Sequence, residues 1–412
     1  MHSSGGLGTD LIYGGDQSDG IYGGEGGDVI HGDGGNDFID ADLGRSTGPG
    51  GNDTVFGGAG DDFIKTDVGN DLVYGGTGND TVRKGAGDHT FYGGIGTNDV
   101  VTYSSLSSTF VVVDLSDNSQ NAGGAAGDRH FEVESIRGTR NGDTLTGDGN
   151  ANTLDGFRGA DILYGGAGGG SIIADDGNDT LDGGAGGDYL DGGSGVDTVS
   201  YATYTGSAGM LIDLLNNRAF GGDAQNDTFF SIENVIGSAI VDDIYGGDDA
   251  NTIWAGGGDD GVLGQRGDDV IYGGIGNDRL AGMEDNDTIL PGLGNDTVDG
   301  GSGTSDTVSY ADLFDTTPSR TTFGVRVSLA DQGSVQVTRG NPNRDPSIGA
   351  GNDLLTGFEN LTGSGGVDNL FGDANANILR GLENADALTG AGGNDTIFGG
   401  AGSDILVGGA GA

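Results

Sequence analysis

The chain has 412 residues, 93 of them Gly and none Cys, with 33% hydrophobic residues and a formal net charge of −48. That charge repels nucleic acid and anionic lipid, the lack of Cys excludes disulfides and thiolate metal sites, and no run of about 18 apolar residues offers a membrane span. Seven of the acids are Glu and 57 are Asp, a bias towards the short carboxylate that suits a tight loop rather than a mixed solubilising surface.

Residues 1–99 form a first block of nine-residue repeats, clearest at 57–83: GGAGDDFIK, TDVGNDLVY, GGTGNDTVR. The template is G-G-x-G-x-D-x-U-x, with U aliphatic or aromatic, and it is briefly irregular at 41–47. An insertion at 100–137 follows, then a second block at 138–200. A second insertion spans 201–236, a third block 237–309, a third insertion 310–347, and a fourth block 348–412 ends mid-repeat at GGAGA. The insertions open alike, with DVVTY at 99–103 and DTVSY at 197–201 and 306–310. Each then alternates like a strand: Val111 to Leu115, Leu211 to Leu214, Val325 to Leu329. They return to the repeats through IRG (136–138), IENVIGS (232–238) and GNDLLTGFENLTGS (351–364). A period of roughly 100 residues thus lies over the nonapeptide period. The insertions read as longer coils or hairpins that break and restart the repeat, ahead of the alternative that they are recognition loops.

The repeat has few physical solutions. Its glycines permit positive φ and leave carbonyls unobstructed. Asn or Asp precedes the key Asp at Asn52, Asp61, Asn70, Asn79, Asn178, Asp259 and Asn277, types that tolerate left-handed backbone. The Asp supplies a hard oxygen. Calcium takes six to eight such oxygens in a flexible shell, more than one loop can offer but within reach of two loops. The x-U-x half is a short strand with U inward. Two nonapeptides make one coil of a parallel β-solenoid, and U residues such as Ile12, Ile21, Ile30, Val73, Val82, Leu181, Leu190, Ile271, Leu280, Ile289 and Val298 stack into a thin core. Tyr often follows U and is expected to cover the strand edge.

At this copy number the motif resembles the RTX, or haemolysin-type, calcium-binding repeat family, over most of the chain outside the insertions. The resemblance implies an all-β fold, a right-handed parallel β-roll with several Ca2+ ions between turns. It also implies export in an unfolded state, usually by type I secretion, and folding in calcium-rich medium outside the cell. Carried over by position, the ligands are Asp10, Asp19, Asp28, Asp37, Asp53, Asp62, Asp71 and Asp80 in block one. They are Asp143, Asp161, Asp179, Asp188 and Asp197 in block two, and Asp242, Asp260, Asp269, Asp278, Asp287 and Asp296 in block three. Block four supplies Asp353, Asp368, Asp386, Asp395 and Asp404. Asp99 and Asp306 are displaced by one residue. His89, Asn152, Gly170, Asn251 and Asn377 stand where Asp is expected, so sites there should be weak or empty, and His89 reads as a surface loop residue.

No catalytic motif accompanies the repeats, so a non-enzyme is expected; the four His are scattered, without H-E-x-x-H or G-x-S-x-G. Neither a signal peptide nor the family's non-repeat secretion tail is visible, and the chain reads as a fragment of a longer protein. The leading expectation is an extracellular structural or adhesive protein, of a surface layer, matrix or fibre, with calcium as its ligand and a cell-surface or matrix partner. Its open ends make head-to-tail self-association available. The alternatives are a non-catalytic module of a larger secreted enzyme or toxin and, last, an ice-binding solenoid, which needs a regular outward row of Thr and Asn.

Overall fold

The computed structural model describes residues 2–42, 50–311, 323–337 and 351–411. Its regular structure is short β-strands with three 3₁₀ turns. The chain divides into two compact units, Met1–Val199 with Asn226–Ile232, and Ser200–Gln225 with Glu233–Ala412.

In the first unit the strands pair in parallel with partners one coil on, so that Ile12 lies beside Ile30 and Val55 beside Val73. The regular offset is 18 residues, two nonapeptides. It stretches to 25 between Asp28 and Asp53, across the irregularity read at 41–47, of which residues 43–49 lie outside the described residues. One six-stranded sheet runs Leu11–Gly15, Val29–Gly34, Thr54–Ala59, Leu72–Thr77, Thr90–Ile95 and Arg129–Phe131. The alternate strands, from His2–Leu7 through Phe63–Lys65 to Val100–Thr102, form the opposing ladder. Every U residue between them is buried, from Ile12 at 8% exposure to Ile30 and Val73 at 0%. One inward side chain per nine residues suffices because each is covered by its equivalents above and below.

The residue after U does not cover the strand edge. In the six-stranded sheet it points outward and stacks on its equivalent in the next coil. Tyr13, His31, Phe56, Tyr74, Tyr92 and Phe131 form one continuous pile, with centroids 4.7–5.1 Å apart and planes within 17° of parallel. The coil rise of about 4.8 Å imposes that spacing on identical positions.

The second unit repeats the plan. Asp242–Tyr245, Gly261–Gln265, Arg279–Met283 and Thr297–Gly301 form one ladder. Thr252–Gly257, Val270–Ile275, Thr288–Leu290 and Thr307–Ser309 form the other.

The insertions begin by donating a strand to the stack. Val111–Asp114 pairs in parallel with Thr144–Thr146, Met210–Asp213 with Asp242–Tyr245, and Phe323–Ser328 with Val367–Phe371. Val111–Asp114 and Met210–Asp213 also take a short antiparallel partner, Ala122–Gly123 and Arg218–Phe220. In the third insertion residues 312–322 and 338–347, and at the start of the fourth block residues 348–350, lie outside the described residues. The opening tyrosines Tyr103, Tyr201 and Tyr310 are buried to within 1%.

Candidate metal centres

The Asp side chains build continuous rails. In each, the backbone N–H of one Asp donates to Oδ1 of the Asp one coil further on. Asp10, Asp28, Asp53 and Asp71 are linked in this way at 2.7–2.8 Å. On the other side Asp19, Asp37, Asp62, Asp80 and Asp99 are linked at 2.7–2.8 Å, and Asp99 N–H ends the row on Glu134 Oε2. Asp143, Asp161, Asp179 and Asp197 form a further rail. Beside it, Gly170 N–H donates to Asp188 and Asp188 N–H to Asp227.

In the second unit one rail is Asp242, Asp260, Asp278, Asp296 and Asp353. Its companion is Asn251, Asp269, Asp287 and Asp306, ending on Glu359. Asp368, Asp386 and Asp404, and Asn377 with Asp395, complete the set. All the Asp residues singled out by spacing therefore fall on rails, and the displaced Asp99 and Asp306 fall on them too.

Each rail uses one oxygen of each carboxylate. The second oxygen, Oδ2, is buried without a hydrogen-bond partner at Asp28, Asp53, Asp62, Asp260, Asp269 and Asp287 among others. It faces backbone oxygen. A Cβ built on Gly57 would lie 2.5 Å from Asp62 Oδ2 and 2.5 Å from the carbonyl oxygen of Gly75, the equivalent glycine one coil on. On Gly264 it would meet Asp269 Oδ2 and, at 2.8 Å, the Gly282 carbonyl oxygen. The first glycine of the motif thus keeps open a small space lined by oxygen.

Burial pushes several of the rail carboxyls above the usual range, and neighbouring rail carboxylates add to the effect. Asp53 and Asp161 rise to about 8, and Asp62, Asp260, Asp269 and Asp287 to about 7. A row of buried, like-charged, half-bonded carboxylates must bind protons or a cation. Among the described residues no three carboxylates or imidazoles converge. A cation's shell therefore has to draw on backbone carbonyls. Oxygen-only ligands, mixed carboxylate and carbonyl, in a loop of adjustable geometry suit calcium, so the residues present fit that ion.

The Asn or Asp before the rail Asp has a different role from the one read in sequence. None of Asn52, Asp61, Asn70, Asn79, Asn178, Asp259 and Asn277 has positive φ. Each accepts, through Oδ1, the backbone N–H of the equivalent position one coil on, or of its neighbour, as Asn52 does from Asn70 at 2.9 Å. These residues form a second, exposed rail of side-chain Oδ1 acceptors, and hydrogen bonding selects them rather than backbone handedness.

The exceptions to the motif prove to be structured. His89 is fully buried, not a surface residue. Its Nδ1 accepts the Asp71 N–H at 3.2 Å, and its own N–H donates to Asp128 Oδ1 at 2.8 Å. Beside it the Lys84 ammonium, 3% exposed, donates to the carbonyls of Gly87 at 3.0 Å and Gly124 at 2.8 Å and lies 3.5 Å from Asp128 Oδ2. A lysine thus supplies the positive charge among carbonyls and a carboxylate. Tyr103 donates to Asp128 Oδ2 at 3.0 Å and sits 2.8 Å from His130 Nε2. Burial and the Lys84 charge hold His130 down to about 3, hence neutral.

Asn152, Asn251 and Asn377 each accept a loop N–H through Oδ1, at 2.7, 2.6 and 2.8 Å. Through Nδ2 they donate to the carbonyls of Glu134, Glu233 and Glu359, at 3.3, 2.5 and 2.9 Å. Sequence reasoning missed Lys84, Asp128, Glu134 and Glu359. A signal was present: Asp128–Glu134, Asp227–Glu233 and Asp353–Glu359 share one spacing, as do Glu134–Asn152, Glu233–Asn251 and Glu359–Asn377.

Comparison with known families agrees with this geometry. The RTX calcium-binding nonapeptide repeat (4 copies) matches at residues 4–39, 18–48, 47–82, 137–172, 169–199, 236–271, 272–305, 362–397 and 380–412, together more than half of the chain. No curated protein matches it.

Proposed function

The chain belongs to the RTX calcium-binding nonapeptide-repeat family, and from that premise we propose that it is a secreted structural or adhesive protein that folds on calcium outside the cell. The observation that carries this reading is the row of buried Asp Oδ2 atoms without partners in a chain of net charge −48. The rail Asp residues whose Oδ2 has no partner, with the glycine carbonyls opposite them, would hold the ions. Bound calcium would supply the positive charge that lets stacked carboxylates stay ionised. Millimolar calcium outside cells would then act as the folding signal after export.

A framework role is supported by where the chain spends its residues. The first and second insertions add strands to the stack, and two of the four His, His89 and His130, are buried in it. Catalysis has no part in this reading. The outward row of rings in the first unit speaks against an ice-binding face, and surface or matrix partners are compatible with the framework.

Circular dichroism during a calcium titration tests the first half: coil should pass to β with added calcium and revert with chelator. A chelator-treated protein with its full β-signal would refute it. Antibody labelling of intact cells and culture medium tests the second half. Protein confined to the cell interior would refute secretion.

A further inference from the structure

Resting on that calcium reading, we propose that the three segments where the insertions return to the repeats, Glu134 to Asn152, Glu233 to Asn251 and Glu359 to Asn377, are metal-free coils that stay ordered without calcium and template the calcium-dependent coils beside them.

Midway along each segment stands a rail Asp whose carboxylate the protein itself satisfies. Asp143 Oδ2 accepts the Thr139 N–H at 2.6 Å, and its Oδ1 accepts the Thr139 hydroxyl at 3.0 Å. Asp242 Oδ2 accepts both the Ser238 N–H and hydroxyl at 2.8 Å. At Asp368 the Ser364 N–H goes to Oδ2 and its hydroxyl to Oδ1, each at 2.8 Å. Oδ1 of the same three Asp residues also binds the insertion strand, through the N–H of Val111, Met210 and Val325 at 2.8, 3.1 and 2.7 Å. The Oδ2 that elsewhere lacks a partner here accepts an amide proton, and a hydroxyl of the same residue adds a second hydrogen bond to the carboxylate. The next loop removes the charge altogether, because Asn stands for Asp and its amide donates to the Glu carbonyl one coil back. No buried, half-bonded anion remains in these loops, so nothing in them requires a metal.

Their apolar support is also larger. A nonapeptide coil buries two U side chains. Around the first return segment Tyr103, Val111, Val113, Val133, Ile136 and Leu145 are buried together with the insertion. A coil that is satisfied and better packed stays closed when its neighbours open. Parallel coils grow by adding to an existing edge, so these segments are the edges from which calcium-dependent coils extend.

Hydrogen exchange followed by mass spectrometry on the full chain, with calcium and with chelator, tests this. The expected result is three islands of protection in chelator, at the return segments, while coils such as Asp53–Asp80 and Asp260–Asp287 exchange fast. If calcium protects the chain but chelator abolishes protection uniformly, this proposal is overturned and the calcium reading stands. Equal protection with and without calcium overturns both.

Asn251→Asp adds an independent arm. It puts back a buried carboxylate and removes the donor to Glu233. In chelator, protection around residue 251 should fall by about tenfold or more, the effect of losing one buried hydrogen bond, while the islands at Asn152 and Asn377 hold. An unchanged middle island would overturn the role given to the amide.

Discussion

The backbone N–H of Asp260 donates to Oδ1 of Asp278, one coil further on, at 2.9 Å, while Oδ2 of that Asp278 carboxylate is buried with no partner. One oxygen registers the coils and the other waits for a cation, so the two functions can be separated by substitution.

Asp278→Asn keeps an Oδ1 acceptor for the Asp260 N–H and removes the charge. In calcium the variant should bind fewer ions and require more calcium to fold. In chelator it should be no less stable than the parent, because no carboxylate is left to desolvate. Asp278→Ala should weaken both states, since the Asp260 N–H loses its acceptor, at a cost of about 1–3 kcal/mol. Calcium titrations by calorimetry and circular dichroism compare the three proteins. Equal behaviour of the Asn and Ala variants in chelator would contradict the division of labour.

Acid should partly replace calcium. The folded, calcium-free rails hold Asp53 and Asp161 at about 8 and Asp62, Asp260 and Asp269 at about 7, against about 3.9 in an unfolded chain. A carboxyl raised on folding favours the folded state through its bound proton. That contribution is complete below about pH 4 and is lost as pH rises through 7 to 8. Chelator-treated protein should therefore gain β-signal between pH 7 and pH 4.5, and calcium affinity should fall over the same range. A calcium-free chain equally unfolded at both pH values would count against these rails.

Gly57→Ala should be costly where Gly408→Ala is not. The new methyl at 57 meets Asp62 Oδ2 and the Gly75 carbonyl oxygen, both at 2.5 Å, whereas at 408 it meets nothing within 4 Å. Overpacking of this kind costs about 1–3 kcal/mol, and here it also closes a candidate ion space. Thermal unfolding in saturating calcium should separate the two variants. Indistinguishable midpoints would mean that the space is not used.

Lys84→Met should destabilise the first unit even in excess calcium. It leaves the carbonyls of Gly87 and Gly124 without their donor and the Asp128 carboxylate without its cation. Removing one partner of a buried pair costs about 3–5 kcal/mol. Full rescue by calcium would instead show that an ion can take the ammonium's place.

The rails are legible in the repeat itself, because a carboxylate every nine residues has one stacking solution once U is inward. The displaced Asp99 and Asp306 are harder to read, since a one-residue slip is absorbed by the loop and the rail bond survives at 2.7 and 2.9 Å. His89 misleads a sequence reading because its burial comes from far along the chain, through Asp128, 39 residues on. The return segments are illegible for a similar reason. Their signal is a spacing between Asp, Glu and Asn carried across coil boundaries, and their chemistry uses neutral donors that look ordinary in sequence. The Asn or Asp before several of the rail Asp residues stands out in sequence for the wrong property, as its ladder bond exists only once coils are stacked.

The piled rings of the first unit have an optical consequence. Aromatic side chains held face to face at 4.7–5.1 Å, from Tyr13 to Phe131, couple their electronic transitions, so the pile should give a near-ultraviolet dichroic band that exists only while successive coils are in register. The chain's single Trp, Trp254, lies instead in the second unit, stacked on Tyr272 at 5.7 Å, and its emission follows that unit alone. Emission from Trp254 therefore follows the second unit, and the part of the near-ultraviolet band that is lost without a change in that emission follows the pile of the first, so that one unlabelled sample can time the order of assembly.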